Sequence, residues 1–219
     1  MKRNLIVLGM LAVCSGAFAQ QIMTRGALNA LLTSSTSDDF EAFQIGVGAA
    51  TNLDIASLDS NSIALGQGPG LVKPGATYVD PTGVHLQWNG DQYVGMNTKT
   101  ILANGGGGGT IKINYNVFTQ AMGLDAKAFL GFGYTGTMDV YDNAGALVGS
   151  ANFGLGTGGG ETSFIGWQNN AGIGSVVISS PNFSWSPIID DHTYGVVPEP
   201  ASMIALGTGL LALARRRRK

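Results

Sequence analysis

Glycine returns every few residues along this chain, 34 times in 219 positions, and short runs rich in Val, Ile, Phe, Tyr and Trp lie between. No long helix fits that spacing, because glycine in a helix interior costs about 1 kcal/mol relative to alanine. The glycines keep no three-residue period, which excludes a collagen-like rod. Apolar residues spread throughout the chain exclude disorder. Short strands between tight turns remain, and they predict an all-β fold.

The clearest strand covers residues 110–117, where Ile111, Ile113, Tyr115 and Val117 share one face at period two. Residues 40–47 read as a strand, and residues 84–88 as another that turns at Asn89-Gly90 and returns through residues 93–96. Residues 137–149 read as a hairpin turning on Asp142 to Gly145, with Met138 and Val140 facing one way. Residues 164–167 and 175–179 supply two more strands. One helix is predicted over residues 24–32, with Leu28, Leu31 and Leu32 on one face. The five glycines at 105–109 read as a loop, since no Lys-Ser/Thr follows to make a phosphate cradle. The expectation is a single antiparallel β-sandwich of jelly-roll type over residues 20–197.

The two ends differ from the body. Lys2 and Arg3 precede an apolar run at residues 5–13, and Ala17 and Ala19 fit cleavage before Gln20, which makes residues 1–19 a secretory signal peptide. A lipoprotein-like box ending at Cys14 competes, but Val13 stands where a small residue is expected. At the other end, residues 201–214 carry no charge and would span roughly 21 Å as a helix, short of a hydrocarbon core of about 30 Å. Arg215, Arg216, Arg217, Arg218 and Lys219 follow and would stop the segment at the cytoplasmic side. Pro198, Glu199 and Pro200 stand just before it, so a short transmembrane helix is expected to begin after them.

That order at residues 198–219 resembles the PEP-CTERM sorting signal of Gram-negative bacteria. The resemblance implies recognition by a membrane-embedded exosortase-type protease after signal peptidase has acted, with transient membrane insertion through the C-terminal helix. It also implies removal of the tail near Pro198-Glu199-Pro200, and release or attachment at the cell surface. Bacteria with such signals typically make extracellular polysaccharide, the material of biofilms. Met122 to Asp125, the Asp139-to-Gly149 hairpin, Ser163 to Trp167 and the closing Ile188 to Gly195 are similar to the β-sandwich bodies that often precede such tails. No catalytic residue comes with that likeness.

With the ends set aside, the body holds no cysteine, which excludes disulfides and thiol chemistry. It keeps five basic residues against thirteen acidic ones, a net −8, which argues against nucleic acid as a partner. His85 and His192 are the only imidazoles, too few and badly spaced for zinc. Both Gly-x-Gly-x-x-Gly matches, at 131–136 and 154–159, lead into β pattern rather than a helix, and no Gly-x-Ser-x-Gly elbow occurs. His85 is expected to point outward from a strand, His192 to sit at a solvated strand end, and Asp38-Asp39 to lie in a polar turn.

The carboxylates worth weighing are Asp38, Asp39, Glu41, Glu161, Asp190 and Asp191, and no spacing singles out an acid and a nucleophile. Asp190 and Asp191 are candidate calcium ligands; no other cofactor or metal is expected. Trp88, Trp167 and Trp185, with Tyr93 and Tyr134, could form a sugar platform. Trp167 reads as core, while Trp88 stands equally between core and ligand face. The candidate ligand contacts are thus Trp88, Tyr93, Asp190 and Asp191. The reading is a non-enzymatic exported protein with a structural or adhesive body that touches polysaccharide; the alternative is a secreted carbohydrate-active hydrolase.

Overall fold

The computed structural model describes residues 19–104, 109–127, 134–155, 162–180 and 186–198. Residues 1–18 of the expected signal peptide, the tail from Glu199 onward, Gly105 to Gly108, Glu161 and Trp185 lie outside the described residues.

Two antiparallel sheets enclose one hydrophobic core. The first sheet runs in the order β1 (Ala19–Ile22), β12 (Ser163–Asn169), β9 (Ala121–Lys127), β14 (Ile188–Val196), β7 (Thr100–Ala103), β6 (Leu86–Asn89) and β3 (Ala50–Asn52), and β2 (Ser34–Asp38) also pairs with β14. The second runs β11 (Leu147–Leu155), β10 (Tyr134–Tyr141), β13 (Ser175–Ser179), β8 (Thr110–Tyr115), β5 (Ala76–Val79) and β4 (Ser57–Leu58). From β8 onward the chain changes sheet at every connection except the β10–β11 hairpin, so residues 169–174 form a crossover and not a hairpin.

The second sheet alternates as its sequence does. Ile111, Ile113, Val176, Ile178, Met138 and Val140 are fully buried on its inner face. Burying such a side chain contributes about 1.5–3 kcal/mol, and the alternation fixes the register, because a one-residue slip would turn the whole row to water. The first sheet is covered on both faces. Its inner residues Met122, Leu124, Ile165 and Ile189 join the core, while helix α1 (Arg25–Leu31) packs Leu28 with Ile22 and Ala121 on the outside. Thr24 caps α1 by accepting from the Ala27 N–H, which satisfies one of the free donors at the helix start. Gly123 lets the helix approach, since a Cβ there would meet Leu28 and the Phe164 ring.

Three sequence expectations are corrected. Residues 40–47 form turns and loop, with Phe40 at φ 53° and Phe43 folded in to stack on Trp88. Their apolar side chains serve the core from a loop. Asn89-Gly90 is not a tight hairpin turn: β6 returns through β7, after the loop 90–99. Gly90 is required there for close approach, because a Cβ would run into the Gly46 carbonyl oxygen. Finally, β8 stops at Tyr115, and Val117 is 50% exposed instead of sharing the buried face.

Candidate functional site

The end of the body is built from amides. β14 ends at Val196, whose carbonyl oxygen accepts from the Thr33 N–H at 3.0 Å and the Thr33 hydroxyl at 3.2 Å. Gln120, just before β9, donates its backbone N–H to the Gly195 carbonyl at 2.8 Å, and its Oε1 accepts from the Val197 N–H at 3.0 Å. Its Nε2 donates to the Asn170 carbonyl at 3.0 Å. Asn170 Oδ1 in turn accepts from Gln168 Nε2 at 2.8 Å, and Gln168 Oε1 accepts from Gln20 Nε2 at 3.1 Å. This chain of side-chain amides ties Gln20, the expected first residue of the processed chain, to Val197, the residue after the last strand. Both termini therefore leave the body at one pole. Ala19 stands opposite Asn169 at the start of β1, so cleavage after it leaves Gln20–Ile22 in the sheet.

A second polar group bridges the two sheets. Tyr78 on β5 donates its hydroxyl to Asp38 Oδ2 at 3.1 Å, and therefore accepts from His192 Nδ1 at 2.8 Å. His192 Nε2 then accepts from the Tyr115 hydroxyl at 3.0 Å. These directions are those of neutral His192 protonated on Nδ1; an imidazolium would donate to both hydroxyls. Burial pushes the His192 pKa down to about 3, with the Arg25 charge adding to the effect. Burial also raises Asp38 to about 6, against the Lys73 N–H and Tyr78 hydroxyl that hold it down. The site is a satisfied polar strut through the core.

A bulge explains why His192 is inside. Asp190 pairs with Asp125, but the next partners are Thr193 and Gly123, so Asp191 and His192 together oppose one residue of β9. Asp191 takes φ 46° and is exposed, while His192 is 0% exposed and stacks on Tyr194 with centroids 4.9 Å apart. The expected solvated position for His192 is overturned, and so is the polar-turn position for Asp38, which is 2% exposed.

Of the candidate ligand contacts, Trp88 is wholly buried; its Nε1 donates to the Phe40 carbonyl at 3.1 Å, and it offers no face to a sugar. Asp190 is buried on the first sheet, accepting from the Thr98 hydroxyl at 2.6 Å and from the Asp191 N–H at 2.7 Å. Burial raises its pKa to about 7, with Asp191 and Asp125 adding like charge. Asp191 and Tyr93 face solvent. Asp125 pairs with Arg25 at 3.1 Å, and Arg25 also donates to Thr193 at 3.3 Å. Glu41 pairs with Lys99. The carboxylates fall in three places: Asp38 in the strut, Glu41 in a loop, and Asp125 and Asp190 paired across β9 and β14 on the outer face with Asp191 beside them. Among the described residues no three His, Cys, Asp or Glu side chains are grouped to hold a metal. Sequence reasoning named Gln20 for the cleavage before it and not for this amide chain, and it missed Gln120, Gln168 and Asn170, which carry no motif.

A two-sheet body whose last strand ends two residues before Pro198 has the form of a cargo followed directly by its address. Residues 196–219 match the family described as the PEP-CTERM protein-sorting motif. The chain carries that motif, and is an exported protein sorted to the cell surface through an exosortase. No curated protein matches the chain. The motif residues Glu199, Pro200 and Arg215 to Arg218 lie outside the described residues, and among the described residues no helix is long and apolar enough to cross a membrane.

Proposed function

We propose that the body is a non-catalytic surface module, delivered in folded form and separated from its tail near Pro198-Glu199-Pro200. The observation that carries this reading is the seam at Val196 and Val197. From Ile188 to Val197 the chain is held by the sheet or by Gln120, so a cut at residues 198–200 removes none of the hydrogen bonds described above.

In the finer reading, residues 1–19 are removed by signal peptidase, and residues 201–214 hold the chain in the inner membrane with Arg215 to Arg218 on the cytoplasmic side. The two sheets then form a jelly-roll sandwich with a structural or adhesive role in extracellular polysaccharide. Tyr93, 40% exposed, is the aromatic candidate whose exposure supports a sugar contact. The facing pair Asp125 and Asp190 is taken up by Arg25 and by the Thr98 hydroxyl, and Asp190 is buried, which supports the structural role over hydrolysis.

Intact mass and location in the native bacterium, with and without its exosortase, test the proposal. The expected product begins at Gln20, ends near Pro198-Glu199-Pro200, and is found outside the cell only when the protease is present. A full-length tail retained under both conditions overturns it.

A further inference from the structure

The pole that holds both termini also carries an exposed apolar pair. Val117 is 50% exposed and Phe118 is 56% exposed, adjacent in the loop that joins β8 to Gln120. They lie across glycines: a Cβ on Gly75 would meet Val117 at 3.1 Å, and one on Gly172 would meet Phe118 at 2.9 Å. Gly75 and Gly172 have φ of 112° and 105°, a backbone that other residues rarely adopt. Each glycine floors a side chain whose opposite face meets solvent.

The surroundings are nearly free of charge. The loops 116–120, 142–146 and 169–174, with Pro74-Gly75, carry one ionisable side chain, Asp142. Its Oδ1 is occupied by the N–H groups of Ala144 and Ala146 at 2.9 and 2.8 Å. Two residues beyond Phe118, Gln120 holds Val197, and the apolar residues 201–214 begin three residues after Pro198. Whatever surface receives that apolar stretch lies within a few residues of Val117 and Phe118.

We infer that Val117 and Phe118 are a membrane-contact loop that enters the headgroup boundary of the bilayer while the tail is still attached. The inference rests on the proposed membrane step of the tail. An apolar pair set in a polar rim whose charges are Asp142 and, just before Pro74, the exposed Lys73 suits the boundary, where apolar side chains are buried and amides stay hydrated. The same geometry seats the body with its C-terminal seam against the bilayer, beside a membrane-embedded protease.

The test uses the full-length chain with Cys14→Ser, which has no other thiol, and one introduced cysteine carrying an environment-sensitive fluorophore. Phe118→Cys reports on the loop. Val84→Cys, also at an exposed position, reports on the opposite end of the strands. The chain is reconstituted in phosphatidylcholine vesicles, with or without nitroxide-bearing phosphatidylcholine, and floated on a density gradient. The expected result is flotation, with blue-shifted emission at 118 and quenching there at least roughly twofold above that at 84. Failure to float overturns the membrane step and the inference with it. Flotation with equal quenching at 118 and 84 overturns the inference alone. A blue shift at 118 without lipid quenching also overturns it, because the pair is then covered by the tail or by a second copy.

Discussion

Gln120 and Val197 meet where the body ends: the Val197 N–H donates to Gln120 Oε1 at 3.0 Å, while the Gln120 N–H reaches back to Gly195 at 2.8 Å. One residue therefore grips the last strand and the first residue after it. Gln120→Ala is expected to lower the stability of the body by about 1–2 kcal/mol, from lost bonds to Val197 and Asn170. Amide hydrogen exchange at Val197 should rise to the level of a free terminus. Unchanged protection at Val197 would show that Gln120 does not hold the seam.

Tyr78 lies between Asp38 and His192, so its hydroxyl serves both sheets. Tyr78→Phe keeps the ring and its edge-on contact with Phe40 but removes that hydroxyl. A buried carboxylate and a buried imidazole nitrogen each lose a partner, at an expected cost of about 2–4 kcal/mol. Urea unfolding of the body measures it; a change below about 0.5 kcal/mol would mean the strut contributes nothing measurable.

Asp190 makes stability depend on pH. Its folded pKa is raised from 3.8 to about 7, so between those values the folded chain binds more protons than the unfolded one. The Asp190 contribution is therefore present below about pH 4 and is lost as pH rises to about 7. Asp190→Asn removes that titration while keeping an oxygen for the Thr98 hydroxyl. Relative to the natural chain, the variant should gain on the order of 3 kcal/mol between pH 4 and 7 and nothing beyond. His192 acts in the opposite sense, its depressed pKa favouring the fold as pH rises from about 3 to 6.5, but it is common to both chains and cancels. Parallel curves for the two chains would refute the assignment.

Trp167 lies flat over Gly149 of β11, where a Cβ would collide with its six-membered ring. Gly149→Ala is expected to destabilise by about 1–3 kcal/mol through overpacking, and to shift the tryptophan emission. An unaltered spectrum with unaltered stability would place the ring elsewhere.

Sequence patterning recovered what local chemistry controls. β8 was legible because one of its faces is apolar, and β10 with β11 because Asp142 to Gly145 is a turn sequence. α1 was legible from its leucines. β9 was harder, since Ala121 to Lys127 is covered by the core on one side and α1 on the other, which erases alternation. Residues 40–47 misled because a loop that folds Phe40 and Phe43 into the core has a strand's composition. His192 misled because three polar residues in a row read as solvated, whereas the bulge at Asp191 turns the third inward. Of the candidate site, the address was legible as a motif. The amide chain beneath it was not, because bonds that join segments 50, 77 and 148 positions apart leave no local trace.

β14 is the last strand of the body, yet it sits in the middle of the first sheet, bonded to β9 on one side and to β7 and β2 on the other. In the proposed export from the N-terminus, the chain would hold two unjoined half-sheets until its final residues arrive: β1, β12 and β9 in one, β7, β6 and β3 in the other. Insertion of β14 joins them, and the next residues to appear are Pro198, Glu199 and Pro200. Completion of the fold and emergence of the cleavage signal are then consecutive moments in one passage. Chain order alone keeps the address behind a finished body.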